Sequence, residues 1–158
     1  MSSDFQRALR RLKPQKHRAQ LVPRAESELE FMGTSTWRPA KLLYDTTVYV
    51  DILQGRFPQG GEAALRATQA WHSSVTAAEL AATCGLLDPT HSQTPQIIAR
   101  IAKIIDRRPS QGTITPDSEI WWKAGILAGI LARVQGYGKE QRRRVLNDAL
   151  LFATGRKH

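Results

Sequence analysis

At 158 residues, 41% of them hydrophobic, the chain has the size of one domain and enough apolar material for a core. Twenty-three Lys and Arg against fourteen Asp and Glu leave a net charge of +9, which favours a polyanionic partner: nucleic acid, an acidic protein or an anionic membrane surface. The single cysteine, Cys84, excludes an intrachain disulfide and a cysteine-based zinc cluster, and its apolar surroundings suggest a small buried hydrophobe.

Residues 1–40 differ from the rest. Phe5, Ala8, Leu9 and Leu12 share one face of a short helix that Pro14 ends. A polar stretch with Pro23, Gly33 and Pro39 follows. Eight Lys or Arg against four Asp or Glu give this segment +4 of the total. It reads as a basic extension, whether a nucleic-acid arm, a partner-binding helix or a loosely attached segment. Residues 41–158 read as the domain proper. The basic N-terminus lacks the apolar core of a signal peptide, and the apolar run 124–134 is too short to span a bilayer. The expectation is a cytoplasmic protein without a membrane partner.

The domain opens with an apolar strand, 42–44, then Asp45, Thr46 and Thr47, then a helix with Val48, Val50, Ile52 and Leu53 at helical spacing. A turn at 57–61 leads into a helix from Glu62 to about Ala70. Residues 71–76 read as a strand feeding a helix over 77–87, with Thr76-x-x-Glu79 in the form of a capping box. Ile97, Ile98, Ile101, Ile104 and Ile105 stripe the next helix, which Arg107-Arg108-Pro109 ends. A brief strand is expected at 112–115. The helix over 116–135 starts at Pro116 and places Trp121, Ala124, Leu127, Ala128 and Leu131 at core spacing. Gly136-Tyr137-Gly138 is a C-cap and turn. The last helix, from Lys139 to about Arg156, aligns Val145, Ala149, Phe152 and Ala153. Strands alternating with helices predict an α/β domain with a mostly parallel sheet.

Three acids stand out. Asp45 ends the first strand, Glu79 begins the helix after the second, and Asp148 lies beside the apolar face of the last helix. A carboxylate at the carboxyl edge of a parallel sheet sits where such folds bind ligands. Carboxylates that converge there need a hard cation to neutralise them, and oxygen ligands favour Mg²⁺ or Mn²⁺. Each acid also has a structural reading: helix cap, capping box, and surface acid beside Arg142, Arg143 and Arg144. His17, His72, His91 and His158 lack metal-type spacing and read as surface or capping residues. No Ser-His-Asp or Cys-His set is apparent.

YDTTVYVDILQGR resembles the opening of PIN-domain ribonucleases, the fold of VapC-type toxins. SSVTAAELAATCG is similar to that family's second block, and NDALLFATGRKH to its third. The resemblance covers residues 41–158. It implies a three-layer α/β/α domain and metal-assisted hydrolysis of RNA by Asp45, Glu79 and Asp148 as ligands of Mg²⁺ or Mn²⁺. Thr47 matches the small hydroxyl position that supports the first acid. It further implies an antitoxin partner and a homodimer. The family continues past its third block with another strand and a further acid, whereas this sequence stops at Gly155-Arg156-Lys157-His158. The expected sheet is therefore incomplete at the C-terminus, with one edge of its first strand uncovered. Arg56, Arg142, Arg143 and Arg144 are candidate phosphate contacts, against the simpler reading of solvated helix faces. Trp71, Trp121 and Trp122 could stack on bases or fill the core. The rival function is a non-catalytic RNA-binding or protein-interaction module.

Overall fold

A computed structural model describes residues 3–29 and 41–158. The expected irregular stretch around Gly33 and Pro39 lies outside the described residues. The chain forms two compact units: a sheet unit, Glu30–Thr115, and a helical unit, Met1–Leu29 with Pro116–His158.

The sheet unit contains three parallel strands in the order β1-β2-β3: β1 Lys41–Leu43, β2 Gln69–Ser73 and β3 Thr113–Ile114. Leu42 pairs with Ala70, and Ser73 with Ile114. Helices α2 (Thr46–Leu53) and α3 (Gln59–Arg66) link β1 to β2, and α4 (Ser74–Leu86) and α5 (Thr94–Asp106) link β2 to β3. This is the α/β alternation expected, a small parallel sheet flanked by helices, and β1 lies at an edge. Tyr49 of α2, Leu80 of α4 and Ile101 of α5 meet in a core that also takes in Tyr44, Val50, Leu53, Cys84 and Ile104. Each such burial contributes about 2 kcal/mol. Gly112 sits in a tight place where β3 enters the sheet: a Cβ there would lie 3.3 Å from the Ala70 carbonyl oxygen and from Pro109, which would have to give by a few tenths of an ångström.

Several boundaries differ from expectation. The helix read as 62–70 is α3, Gln59–Arg66, because Gln69 and Ala70 pair with β1 instead. Strand β2 ends at Ser73, whose hydroxyl accepts from Val75 N at 3.1 Å and so caps α4. Thr76 is therefore a fully buried residue inside the helix, donating to the Tyr44 carbonyl at 3.4 Å. The Thr76-Glu79 capping box does not form.

The helical unit contains α1 (Asp4–Leu12), α6 (Ser118–Gln135) and α7 (Lys139–Lys157). Helix α1 packs on α6, with Ala8 buried. The segment after it stays attached: Arg133 donates to the Pro14 carbonyl at 2.7 Å, and Gln135 to that of Leu21 at 2.9 Å. Helix α6 starts one residue after its cap Asp117, which accepts from Ile120 N at 2.9 Å, so Pro116 precedes the helix rather than opening it. It ends at Gly136, whose φ of 68° is the left-handed conformation that favours glycine. Helix α7 then returns along α6, and Lys157 at its end bonds Asp117 at 2.6 Å and Glu119 at 2.7 Å. These two acids and Lys123 hold one another's charge: hydrogen bonds from Lys123 and Lys157 lower the Glu119 pKa to about 2.

The buried stripe of α6 runs through Ile120, Ala124, Ala128 and Ile130, so Trp121, expected in the core, is 48% exposed. Phe152 departs likewise, at 60% exposed, while its neighbours Ala149 and Ala153 are buried.

Candidate functional site

Asp45 follows β1 and is the N-cap of α2. Its Oδ1 accepts from Thr46 N at 2.6 Å, and its Oδ2 accepts from the Thr47 hydroxyl at 2.9 Å. Glu79 lies in the second turn of α4, after β2. The Thr46 hydroxyl donates to Glu79 Oε2, tying two carboxylates that are far apart in sequence to one threonine pair. Parallel strands make this possible: both helices leave the same carboxyl edge of the sheet. The Thr76 hydroxyl, bonded to the Tyr44 carbonyl, fixes the first turn of α4 against the chain that leads into Asp45.

The capping reading of Asp45 is thus realised, yet capping does not exhaust its oxygens. An ionised carboxylate has about four lone-pair sites, and two donors leave the others open. Glu79 has lost its capping explanation and gained a partner across the site. The donor set of two carboxylates and two hydroxyls is all oxygen, which suits a hard divalent cation. Among the described residues, no three His, Cys, Asp or Glu side chains form a group able to hold a metal ion; the acids gathered here are a pair. Asp148 belongs to the helical unit, exposed on α7 beside a cavity it lines with Arg11, His17 and Phe152. Among the other expected residues, Arg56 pairs with Asp51 at 3.3 Å. Arg142 donates to the Tyr137 carbonyl at 3.3 Å, and Arg143 and Arg144 are exposed on α7.

Between β2 and α2 lies a polar cluster that the sequence reading overlooked. His72, expected at the surface, is buried at 9% exposure and hydrogen-bonds the Tyr49 hydroxyl through Nδ1. The Tyr44 ring stands edge-on to the imidazole, 5.8 Å between centroids. The Arg108 guanidinium lies 4.7 Å above the Tyr49 ring and donates to the Ser73 carbonyl at 3.4 Å. Burial, and then the Arg108 charge, hold His72 below its usual range; burial pushes Tyr49 up to about 12. The signal that could have found this cluster is His72 next to Trp71 inside a strand, where an imidazole is carried into the sheet. It joins β2 to α2 and so supports the two helices that carry Asp45 and Glu79.

No protein-family model, curated protein or solved structure matches the chain.

Among the described residues, no helix is long and apolar enough to cross a membrane.

Proposed function

We propose that the chain is a PIN-like, three-layer α/β/α domain that hydrolyses RNA phosphodiester bonds with Mg²⁺ or Mn²⁺, acting in the cytoplasm as the toxin of a toxin–antitoxin pair. The observation that carries the reading is the meeting of Asp45 and Glu79 at Thr46, at the carboxyl edge of a parallel sheet. Asp45 and Glu79 would hold the cation, Thr46 orienting Glu79 and Thr47 steadying Asp45. The bound ion supplies Lewis-acid stabilisation of phosphoryl oxygens and a water of lowered pKa. The chain itself supplies fixed negative oxygens, which repel each other unless a cation joins them. On the same reading an antitoxin segment covers the acids, and two copies form a homodimer.

A second reading, an RNA-binding module without hydrolysis, is favoured by the engagement of both Asp45 oxygens in local bonds. Titration of the full chain with Mn²⁺, followed by calorimetry, separates the two. Binding that weakens by about tenfold or more in Asp45→Asn and in Glu79→Gln supports the cation site. Equal binding by both variants contradicts it.

A further inference from the structure

The charge of the chain is concentrated in one unit. The helical unit carries fifteen Lys or Arg against seven Asp or Glu, so +8 of the net +9 belongs to it; the sheet unit has eight against seven. The helical unit also leaves four aromatic side chains partly exposed: Phe5, Trp121, Trp122 and Phe152 are 38–60% exposed, with Phe5 edge-on to Trp122. A strongly basic surface with exposed rings calls for a partner that offers negative charge and flat apolar faces together.

Two adjoining cavities, about 420 and 550 Å³, lie among α1, α6 and α7. They share Arg11, Leu12, Leu127 and Phe152 and so form one groove. Around Phe152, the smaller cavity gathers Arg11, Lys123, Arg156 and Lys157, with Glu119 the acid among them. Glu119 accepts from Lys123 at 2.5 Å and from Lys157 at 2.7 Å, which occupies those three charges with one another. Arg11 and Arg156 enter no ion pair among the described residues. The groove is thus lined by two arginines outside any ion pair and by an exposed ring.

We infer that this groove binds single-stranded nucleic acid, with one base stacked on Phe152 and backbone phosphates held by Arg11 and Arg156. Stacking on an aromatic ring needs an unpaired base, so the groove selects single strands over duplex. Guanidinium groups bind phosphate with displacement of counterions, which makes the affinity salt-dependent. An acidic peptide would satisfy the arginines but gives no reason for a solvent-facing ring in the same groove. The inference does not rest on hydrolysis, because binding of this kind needs no metal.

The test is fluorescence anisotropy of labelled single-stranded RNA, single-stranded DNA and a hairpin duplex, titrated with the full chain in EDTA across a salt series. Binding of the single strands is expected to exceed that of the duplex. Arg11→Gln and Arg156→Gln should each reduce the log-log salt slope by about 0.7. Phe152→Leu, a change at an exposed position, should weaken binding by about tenfold at fixed salt and leave the slope alone. Tighter binding of RNA than DNA would assign a role to the ribose, and equal binding would assign the shared base and phosphate; both uphold the inference. It is overturned if Phe152→Leu binds like wild type, if duplex binds as tightly as single strand, or if the slopes do not change. Displacement of the oligonucleotide by polyglutamate, undiminished in Phe152→Leu, would assign the groove to an acidic protein and also overturn it. The titration in EDTA reads binding without metal or cleavage, so failure of the hydrolysis reading leaves this result standing.

Discussion

The hydroxyl of Thr46 donates to Glu79 Oε2, so the first residue of α2 holds an acid carried by α4. Thr46 is thereby a positioning residue for the acid pair. Thr46→Val keeps the volume and removes the donor, leaving Glu79 without that anchor. The expected outcome is a melting temperature lowered by a net loss of about 1 kcal/mol. Metal-dependent cleavage should fall by roughly tenfold, with Thr46→Ser close to wild type in both respects. Thermal melts and cleavage rates of the two variants check this.

The cap of α4 provides a second prediction. Ser73 caps Val75 N, and Thr76 is buried within the helix. Ser73→Ala should cost about 1 kcal/mol in urea unfolding. Glu79→Gln, which would matter comparably in a capping box, should change stability by less than about 0.5 kcal/mol. A larger loss in Glu79→Gln than in Ser73→Ala would restore the capping-box interpretation.

His72 makes stability depend on pH. Its ordinary value is 6.5 and burial depresses it, with Arg108 acting in the same direction; Tyr44 and Tyr49 are the other titratable groups against the ring. The unfolded chain therefore binds a proton more readily than the folded one. Stability is full above the unfolded value and declines as pH falls below it. His72→Gln should flatten that decline. Unfolding midpoints of both proteins at several pH values measure it.

Tyr49 supplies the partner that makes the burial of His72 tolerable. Tyr49→Phe keeps the ring beneath Arg108 but leaves His72 Nδ1 without its hydrogen bond. A loss of about 1–3 kcal/mol is expected from the unsatisfied buried nitrogen, read from urea unfolding.

Much of the architecture was legible because local signals agreed. Pro14, Arg107-Arg108-Pro109 and Gly136 end helices where the structure ends them, and the three strands fall near their apolar runs. The misses arise where a long-range contact outranks a local one. Ala70 lies at the end of a stretch with helical character, yet pairing with Leu42 draws it into β2. Thr76 resembles a cap from its spacing to Glu79, but Ser73 takes that position one turn earlier and Thr76 turns inward. Trp121 fits a helical stripe, although the buried face is set one residue away by Ile120. The meeting of Asp45 with Glu79 followed from strand order alone. The bond through Thr46 did not, since spacing along the chain says nothing of which of two adjacent hydroxyls turns across the sheet edge. His72 was misread because histidine in isolation favours the surface, and its buried ring is satisfied by the hydroxyl of Tyr49, remote in sequence.

The most direct measurement is cleavage of a mixed single-stranded and structured RNA by the full chain with Mn²⁺, with EDTA, and with the Asp45→Asn and Glu79→Gln variants. The expected result is cleavage by wild type with Mn²⁺ that EDTA abolishes and each substitution reduces by a hundredfold or more, about 3 kcal/mol of transition-state stabilisation. A well-folded wild type that binds RNA but leaves it intact, or variants that cut as fast as wild type, would contradict hydrolysis at this acid pair.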